Sequence, residues 1–362
     1  MLVKKLSLTD FRNFNRFDAG FGDGVNVFFG DNGSGKTNLL EAIFVLCLGR
    51  SQRRVPDGVL VRDGCDVYRL EGEIAADGRP LEVAVAYQRG GRKKITIDGV
   101  TSRLTELFET FCAVSAGPED SEILSGSPSA RRSFIDLYLS QFSRSYLDHL
   151  KDFDRTLAQK NAALKAAMDP GPFNELMVTT GSRIMKARTD FIAELNIRAG
   201  KHHAEIASGE KLELVYEPSV DIDPSGMEIA DMERRFEAKL AKYAPREAAA
   251  EISLVGPQRD EVLILINREP ARTHGSQGQW RTAAVSLKLA VYELLKERRR
   301  TPPILLLDEI FAELDPGRAL GLIDAFAGFS QLFLTTASEP PEALRENSRR
   351  FRIAGGAVLE IS

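Results

Sequence analysis

Apolar and polar residues alternate along the first hundred residues, which is the pattern of strands with one buried face. The alternation runs from Leu2 to Leu8, and a more continuous apolar stretch at 25–29 leads into a glycine-rich segment. Residues 67–100 contain three further strand-like stretches, separated by turn dipeptides at 77–78, 90–91 and 98–99. The pattern predicts two strands before the glycine-rich segment and a β meander after it.

Helical periods appear in two other places. Residues 38–48 are apolar on most sides and predict a buried helix. From about residue 129 apolar residues recur at steps of three, four or seven, and Asp-Pro-Gly-Pro at 169–172 interrupts the pattern. A second helical stretch follows at about 174–208 and a third at about 227–242. The middle of the chain therefore predicts a helical hairpin that is too short for a long coiled coil.

From residue 252 onward the strand, loop and helix patterns return, with a helix predicted from Thr282 to Leu295. This order predicts an α/β fold, with a mixed sheet and a β meander built from both ends of the chain and an inserted, mainly helical lobe. The predicted domains are an N-terminal part at 1–115, a helical lobe at 116–248 and a C-terminal part at 249–362.

Composition places the chain among ordinary globular proteins. It has 362 residues, of which 43% are hydrophobic and 28% charged. The formal net charge of −4 argues against a protein that coats nucleic acid along its whole surface, although it allows a local basic face. The sequence contains no apolar run of 18 residues and starts without an apolar targeting segment, so we expect a cytoplasmic protein with no membrane partner.

The glycine-rich segment matches the phosphate-binding loop pattern G-x-x-x-x-G-K-[ST] at every position. Its glycines allow successive backbone N–H groups to point at phosphates, and the following helix N-terminus adds partial positive charge. Lys36 is predicted to reach the β- and γ-phosphates, and the Thr37 hydroxyl to bind Mg²⁺. The predicted nucleotide-binding residues of this loop are Gly30, Asp31, Asn32, Gly33, Ser34, Gly35, Lys36 and Thr37.

A second half of a nucleotide site lies far downstream. Four apolar residues at 304–307 predict a central parallel strand, and Asp308 and Glu309 follow directly. Asp308 is predicted to hold Mg²⁺, and Glu309 to polarise the attacking water in phosphoryl transfer, with Lys36 as the other catalytic residue. Two acidic residues could instead only solvate a strand end, but the phosphate-binding loop favours the functional interpretation.

Three further segments resemble motifs of the ABC ATPases. Ser276, Gly278 and Gln279 fall in a Ser-Gln-Gly-Gln segment similar to the signature motif, and Asp315 falls in a segment similar to the D-loop. Residues 333–336 resemble the strand before the switch position. Since ABC ATPases use the signature of one subunit against the ATP of the other, the resemblance implies a head-to-tail dimer.

Within that class the chain resembles the RecF family along most of its length. The segments that carry the resemblance are Asp10 to Phe14, Asn38 to Ala42, Gly117 to Asp120, Gly126 to Pro128, Phe134 to Asp136, Leu157 to Asn161, Val255 to Asp260 and Leu314 to Arg318. Arg12 lies in the first of these segments, and the resemblance implies that it also binds the nucleotide. The family is similar to SMC heads with only a short helical lobe.

The RecF resemblance implies ATP and Mg²⁺ as cofactors, an ATP-dependent homodimer and slow ATP hydrolysis that serves as a conformational switch. It also implies binding of double-stranded DNA at gaps or single-strand junctions, and cooperation with RecR and RecO in loading RecA during recombinational repair and replication restart.

The chain departs from the family pattern at several positions. Gln258 stands where histidine is usual, and Trp280 where glutamine is more common. The Q-loop glutamine of SMC heads aligns with Ala116, which leaves the residue that senses Mg²⁺ on that side unassigned. At the usual switch histidine the sequence offers threonines, Thr335 and Thr336, so a threonine is the predicted switch residue.

Basic clusters are the candidates for DNA contacts, because lysine and arginine neutralise phosphates. The two clusters beside the predicted β meander are Arg50, Arg53 and Arg54, and Arg92, Lys93 and Lys94. Each could equally be solvated surface. The sequence has no helix-turn-helix or zinc-finger pattern, so we expect recognition of DNA shape and backbone. Two further basic residues, Arg131 and Arg132, could form contacts within the helical lobe instead of contacting DNA.

Three alternatives remain open. A transporter ATPase subunit would be shorter and would carry a Q-loop glutamine and a switch histidine. Another DNA-associated ATPase, of the overcoming-lysogenization or SMC-like type, would need a nuclease domain or a long coiled coil. The third alternative is a nucleotide-gated binding module whose hydrolysis is incidental.

Overall fold

The computed structural model describes residues 1–207, 209–222, 226–310, 328–339, 344 and 348–361. The strands are β1 (Leu2–Phe11), β2 (Phe14–Gly20), β3 (Gly24–Phe29), β4 (Val67–Ala76), β5 (Arg79–Gln88), β6 (Lys94–Ile97), β7 (Val100–Thr101), β8 (Ala113–Ala116), β9 (Leu212–Glu217), β10 (Glu261–Ile266), β11 (Glu269–Pro270), β12 (Ile304–Leu307), β13 (Gln331–Thr336), β14 (Ser348–Ala354) and β15 (Ala357–Ile361). The helices are α1 (Lys36–Leu48), α2 (Asp57–Leu60), α3 (Leu104–Thr110), α4 (Ser121–Ser125), α5 (Pro128–Phe142), α6 (Arg144–Lys165), α7 (Asn174–Ile206), α8 (Ile229–Ala250), α9 (Ala271–His274) and α10 (Gln277–Arg298). None of the helices within these ranges is both long and apolar enough to cross a membrane.

Two compact units share the chain. The first consists of residues 1–120, 205–207 and 284–362, and the second of residues 121–204 and 208–283. The second unit, which contains the inserted helical lobe, begins at residue 121, close to the predicted boundary at residue 116. Its end differs from the predicted boundary, because residues 249–283 belong to the second unit, and the functional division into three segments stays a prediction.

Two six-stranded sheets form the first unit. One is antiparallel, with strand order β2-β1-β4-β5-β6-β7. The other has the order β15-β14-β3-β13-β12-β8, and all its pairs are parallel except β14 with β15. Because neighbouring parallel strands end at one edge, the segments after β3, β8, β12 and β13 meet there. This edge positions the candidate site.

Helix α1 packs against strands of both sheets. Its residues from Leu39 to Leu48 are all buried, which explains why the sequence is apolar on most sides of this helix. Phe28 and Phe333, on neighbouring strands β3 and β13, stack in the core of the same unit. The buried helix therefore ties the antiparallel sheet to the sheet that carries the phosphate-binding loop.

Two tight turns of the meander have the backbone that their sequences require. Asp77 and Gly78 have φ of 54° and 75°, and Asp98 and Gly99 have φ of 49° and 76°. Two successive positive φ values match the right-handed twist of the strands they join, and Asp-Gly tolerates them at low cost. The predicted meander is therefore present, with β4, β5 and β6 inside the predicted range of 67–100.

The second unit is mainly helical and is held by a buried ionic network. The Arg188 guanidinium on α7 donates to Asp136 on α5 at 2.9 Å and to Asp260, at the start of β10, at 3.0 Å. Asp260 is fully buried, and the Tyr216 hydroxyl also donates to it. Because buried charges are stable only when they are paired and hydrogen-bonded, this network fixes α5, α7 and the β9–β10 sheet together.

Helix α8 continues eight residues past its predicted end, through Pro245. Beyond the proline, the Glu247 carboxylate is buried and accepts hydrogen bonds from the Ser253 hydroxyl and the Leu254 N–H. It also lies 2.7 Å from the Lys160 ammonium on α6. These contacts stabilise the last turns of the helix, whereas proline normally weakens a helix interior.

Candidate functional site

The phosphate-binding loop connects β3 to α1 and has a backbone that needs glycine. Gly30, Gly33 and Gly35 have φ of 142°, 79° and 113°. A Cβ at Gly30 would stand 2.2 Å from the Ile353 carbonyl oxygen, so the close approach of β14 also excludes a side chain there. The local sequence therefore sets the curled path of the loop.

Polar groups of the loop point to an anionic ligand. The Lys36 ammonium is almost fully buried and donates to the carbonyl oxygens of Gly30 at 2.8 Å and Asp31 at 3.0 Å. The Ser34 hydroxyl is buried with no hydrogen-bond partner among the described residues. A buried cation and an orphaned hydroxyl within a glycine cradle fit phosphate oxygens, which accept from both.

The central acidic residue, Asp308, follows the end of β12, which is separated from β3 by one strand, β13. Asp308 Oδ1 accepts hydrogen bonds from the Thr335 hydroxyl at 2.6 Å and the Thr37 hydroxyl at 2.9 Å. Thr335, at the end of β13, is fully buried. One carboxylate oxygen thus links the helix after the phosphate-binding loop to two strand ends.

The electrostatic environment of Asp308 favours a bound cation. Burial raises the pKa of this carboxyl above its ordinary value, the two threonine hydroxyls lower it in part, and the carboxylates of Glu119 and Glu309 raise it further. A divalent cation would offset both the desolvation and the repulsion. Thr37 and Asp308 supply the hydroxyl and carboxylate oxygens that Mg²⁺ prefers.

Glu309 has a strained backbone that Thr335 holds in place. Its φ is 46°, in the left-handed region that residues other than glycine seldom adopt. Its N–H donates to the Thr335 hydroxyl oxygen at 2.9 Å, and its carboxylate lies 3.5 Å from the Lys36 ammonium. One threonine side chain therefore fixes both acidic residues, Asp308 through its carboxylate and Glu309 through its backbone.

A cleft of about 370 Å³ brings these groups together. Its lining includes the loop residues Asn32, Gly33, Gly35, Lys36 and Thr37, as well as Asn38, Arg53, Pro118, Glu119, Asp308 and Glu309. Arg53 and Glu119 form an ion pair at 3.2 Å. Arg53, which the sequence placed among the DNA candidates, thus lies at the phosphate-binding loop.

Glu119 lines the cleft although the sequence gave it no role. Strand β8 pairs in parallel with β12, and the Asp308 N–H donates to the Ala116 carbonyl oxygen at 2.8 Å. The segment after Ala116 therefore lies beside Asp308, and it brings the Glu119 carboxylate to the cleft. The sequence had singled out the segment from Gly117 to Asp120 only as similar to the family, and the pairing of β8 with β12 is what places it at the cleft.

Arg12 and Asn13 lie near the loop in different ways. The Arg12 guanidinium donates to both oxygens of the buried Glu41 carboxylate, at 2.7 and 3.0 Å, and Arg12 is not among the residues that line the cleft. Asn13 donates to the Ser34 carbonyl oxygen at 3.2 Å and accepts from Asn38 at 2.8 Å. Asn13 thus supports the loop directly, and nucleotide contact by Arg12 stays a prediction.

The signature-like segment lies in the second unit and forms the start of α10. The Gln279 N–H donates to the Ser276 hydroxyl at 3.3 Å, and the Ser276 N–H donates to the Gln279 side chain at 3.0 Å. This reciprocal pair is a capping box, so α10 begins at Gln277 and not near residue 282 as predicted. Gly278, in the first turn, has open space around its Cα.

The remaining candidates have varied surroundings. Asp315 lies outside the described residues. Arg54, Arg92 and Lys94 are exposed, and Arg50 is half-buried. The Lys93 ammonium is engaged internally, with the Gly49 carbonyl oxygen and, at 2.7 Å, with the Asp57 carboxylate. DNA contact by these residues stays a prediction.

The comparisons with known proteins agree with this geometry. The family model for the RecF/RecN/SMC N terminal domain matches residues 2–341. A relative from Symbiobacterium thermophilum, named DNA replication and repair protein RecF, is 36% identical over 99% of this chain and 98% of its own. The chain belongs to the RecF family.

Solved structures support the same assignment. A structure of the recombination mediator protein RecF with ATP matches with a TM-score of 0.91 and 32% identity, covering 100% of this chain and 99% of the other. The Smc head domain of Pyrococcus furiosus matches with a TM-score of 0.58 and 15% identity, over 99% and 95% of the two chains, and so shows the fold alone. The predicted fold class, an ABC-type ATPase head with a helical lobe, is confirmed.

The buried charge of Asp308 should destabilise the protein when no nucleotide is bound. The Asp308→Asn variant keeps Oδ1 as an acceptor for both threonines but removes the charge, so it should melt a few degrees higher than the parent at pH 7.5 without nucleotide. A raised carboxyl pKa means that the folded protein binds this proton more readily than the unfolded chain. The ionised Asp308 carboxylate therefore destabilises the parent at neutral pH, and this cost disappears as the pH falls through the raised pKa. The difference in melting temperature between the variant and the parent should shrink accordingly.

Scanning calorimetry at pH 7.5 and at pH 5 would measure both effects. The exposed Asp63→Asn change is the matched control and should leave the melting temperature unchanged. A variant at position 308 that melts at or below the parent temperature at pH 7.5 would contradict the role given to burial.

Proposed function

We propose that this chain is an ATP-binding switch that hydrolyses ATP slowly, dimerises when ATP is bound and then binds double-stranded DNA at gaps or single-strand junctions. Its role would be in recombinational repair and replication restart in the cytoplasm, where it would work with RecR and RecO to help load RecA. The observation that carries the proposal is the convergence of Lys36, Thr37, Asp308 and Glu309 on one cleft.

The cleft fits a nucleotide with Mg²⁺. The glycine cradle and the orphaned Ser34 hydroxyl suit the phosphates, and Lys36 supplies the compensating charge. Thr37 and Asp308 would hold the metal, which when bound neutralises negative charge on the phosphates. Relatives of the chain include a RecF described in complex with ATP, which supports the same ligand here.

Glu309 has the features of a catalytic base. Its side chain is partly exposed to the cleft, while the Thr335 hydroxyl fixes its backbone. A carboxylate in this position can accept a hydrogen bond from the attacking water and orient it. Phosphoryl transfer needs mostly positioning and charge neutralisation, and Lys36 supplies part of the latter.

The signature-like segment supports the proposed dimer. The capping box leaves the N-terminus of α10 well formed, with Ser276 exposed at its start. A helix N-terminus is a favourable place for anionic groups, so this segment can meet the γ-phosphate of ATP held by a second copy. Gly278 would allow close approach, and Asp315 is proposed to contribute from the D-loop.

The proposed place in repair comes from the relatives. They include proteins named DNA replication and repair protein RecF, and a RecF described within the RecFOR pathway. Exposed basic residues near the β meander, Arg54, Arg92 and Lys94, are the proposed DNA contacts in the first unit. Arg50, Arg53 and Lys93 are proposed with them, although Arg53 and Lys93 also contact Glu119 and Asp57.

DNA binding should depend on the nucleotide. Fluorescence anisotropy of a labelled gapped duplex should report tight binding with ATP and Mg²⁺, and weak binding with ADP or without nucleotide. Lys36→Met should abolish the ATP-dependent part, because the lysine is the main cation of the phosphate site. The exposed Lys151→Met change should behave as the parent does. Equal binding in all three nucleotide states would separate the ATP site from DNA and contradict the proposal.

Glu309→Gln should separate binding from hydrolysis. The amide keeps the shape of the side chain but is a poor base, so the ATP hydrolysis rate should fall by about 100-fold or more. The variant should then accumulate as an ATP-bound dimer, visible as a doubled mass by light scattering. Glu175→Gln, on an exposed face of α7, is the control. Hydrolysis at the parent rate would show that Glu309 is not the base, as expected of a binding module with incidental hydrolysis.

A further inference from the structure

Helix α8 carries a row of basic residues that none of the sequence motifs included. Arg235, Lys239, Lys242 and Arg246 are spaced at four, three and four residues. On a helix with 3.6 residues per turn, this spacing places all four within one narrow face. We call these four residues the basic stripe. It lies wholly in the second unit, beside the buried face formed by Met232, Phe236 and Leu240.

The carboxylates on α8 only partly offset the charge of the basic stripe. Glu233 and Glu237 lie on the far side of the helix, because each residue turns the face by about 100°, whereas Asp231 lies one turn before Arg235 and pairs with Arg234. The local carboxylate in contact with the stripe is Asp221, whose Oδ1 accepts from Lys239 at 3.0 Å. Surfaces that are merely solvated normally mix charges of both signs. Among the described residues, four basic side chains therefore face Asp221 and Asp231, which leaves this face positive in a chain whose net charge is −4.

A tyrosine and a shallow cavity give the stripe a defined shape. The Tyr243 ring lies 5.9 Å from the Lys239 ammonium and 5.5 Å from the Arg246 guanidinium carbon. Arg235 donates to the Asp221 carbonyl oxygen at 2.6 Å. A cavity of about 470 Å³ lies beside them. It is lined by Asp221, Arg235, Ala238, Lys239, Lys242 and Tyr243. Two of the cations, at 235 and 239, are thus held in position.

We propose that the basic stripe binds the phosphodiester backbone of DNA. The inference rests on the proposed function and adds a DNA contact in the second unit. The stripe spans about 16 Å along the helix axis, and duplex DNA presents one phosphate per strand about every 3.4 Å. The row of cations is therefore long enough to contact more than one phosphate of a strand, although successive phosphates turn around the duplex axis. Backbone contacts of this kind carry affinity without sequence preference.

An acidic protein surface fits the stripe less well. Protein interfaces have apolar or aromatic centres and contain few lysines. The exposed residues between the basic side chains, Glu237, Ala238, Ala241, Ala244 and Pro245, include no large apolar side chain. The large exposed apolar residues near α8, Ile229 and Ile252, lie at its two ends. A face that combines lysine and arginine with little exposed apolar surface is typical of backbone binding.

The test is a double variant, Lys242→Gln with Arg246→Gln, since both side chains are exposed and neither contacts Asp221. The control is Lys151→Gln with Arg155→Gln, which removes the same charge at the same spacing from an exposed face of α6. Binding of a gapped duplex with ATP and Mg²⁺ is measured by anisotropy over a series of salt concentrations. ATP hydrolysis without DNA is measured in parallel and should stay at the parent rate.

We expect the double variant to bind DNA roughly 10- to 30-fold more weakly near physiological salt. The slope of log K against log salt should fall by about 2, one unit for each lost phosphate contact. The loss should be the same for duplexes of different sequence, and the α6 control should keep the parent affinity and slope.

Each other result overturns the inference in a recognisable way. If the double variant kept the parent's slope of log K against log salt, the stripe would not be part of the DNA interface, and the proposed function would still stand. If the α6 control lost as much DNA affinity, the effect would come from the change in net charge and not from the position of the stripe. Normal DNA binding with lost binding of a polyglutamate probe would assign the stripe to an acidic protein. If the parent bound no DNA in any nucleotide state, the proposed function would fail together with the stripe.

Discussion

The candidate site depends on one buried oxygen, Asp308 Oδ1, which accepts hydrogen bonds from both Thr37 and Thr335. These bonds join the first turn of α1 to the ends of β12 and β13. The arrangement satisfies the carboxylate oxygen but leaves its negative charge in a mostly buried position beside two other acidic residues. A site built this way is best stabilised by a cation, and the phosphate-binding loop lies next to it.

The order of strands in the central sheet explains why these groups meet. Strand β13 lies between β3, which leads into the loop, and β12, which leads into Asp308 and Glu309. A side chain at the end of β13 is therefore placed between the two halves of the site, and Thr335 fills that position. Strand β8 flanks β12 on the other side, which brings Glu119 to the same cleft. The chemistry follows from the parallel arrangement, since all four strands end at one edge.

The sequence was sufficient for the parts of the site that local motifs determine. The phosphate-binding loop, the buried strand before Asp308 and the helix after the loop were all predicted close to their observed bounds. Strand order, in contrast, depends on long-range pairing that no local pattern contains. This is why Glu119 and Asn13 were missed, and why Arg53 was placed with the DNA candidates. The contact of Arg12 with Glu41 likewise requires knowledge of the path of the chain in three dimensions.

Helix ends show the same limit on a smaller scale. The sequence predicted that α8 stops near residue 242, but the helix continues through Pro245 and the buried contacts of Glu247 stabilise the turns beyond it. The predicted start of α10 was late because the capping box of Ser276 and Gln279 was read only as a signature motif. In both cases side-chain hydrogen bonds decided the boundary, and the longer α8 carries the complete basic stripe.

The central claim is that the cleft is built for a nucleotide with a divalent cation, and calorimetric titration of ATP tests it most directly. The parent should bind ATP at least about 10-fold more tightly with Mg²⁺ than with a chelator, since the metal offsets the charge of Asp308. Asp308→Asn should lose most of this dependence on the metal. Equal affinity of the parent for ATP with and without Mg²⁺ would contradict the account.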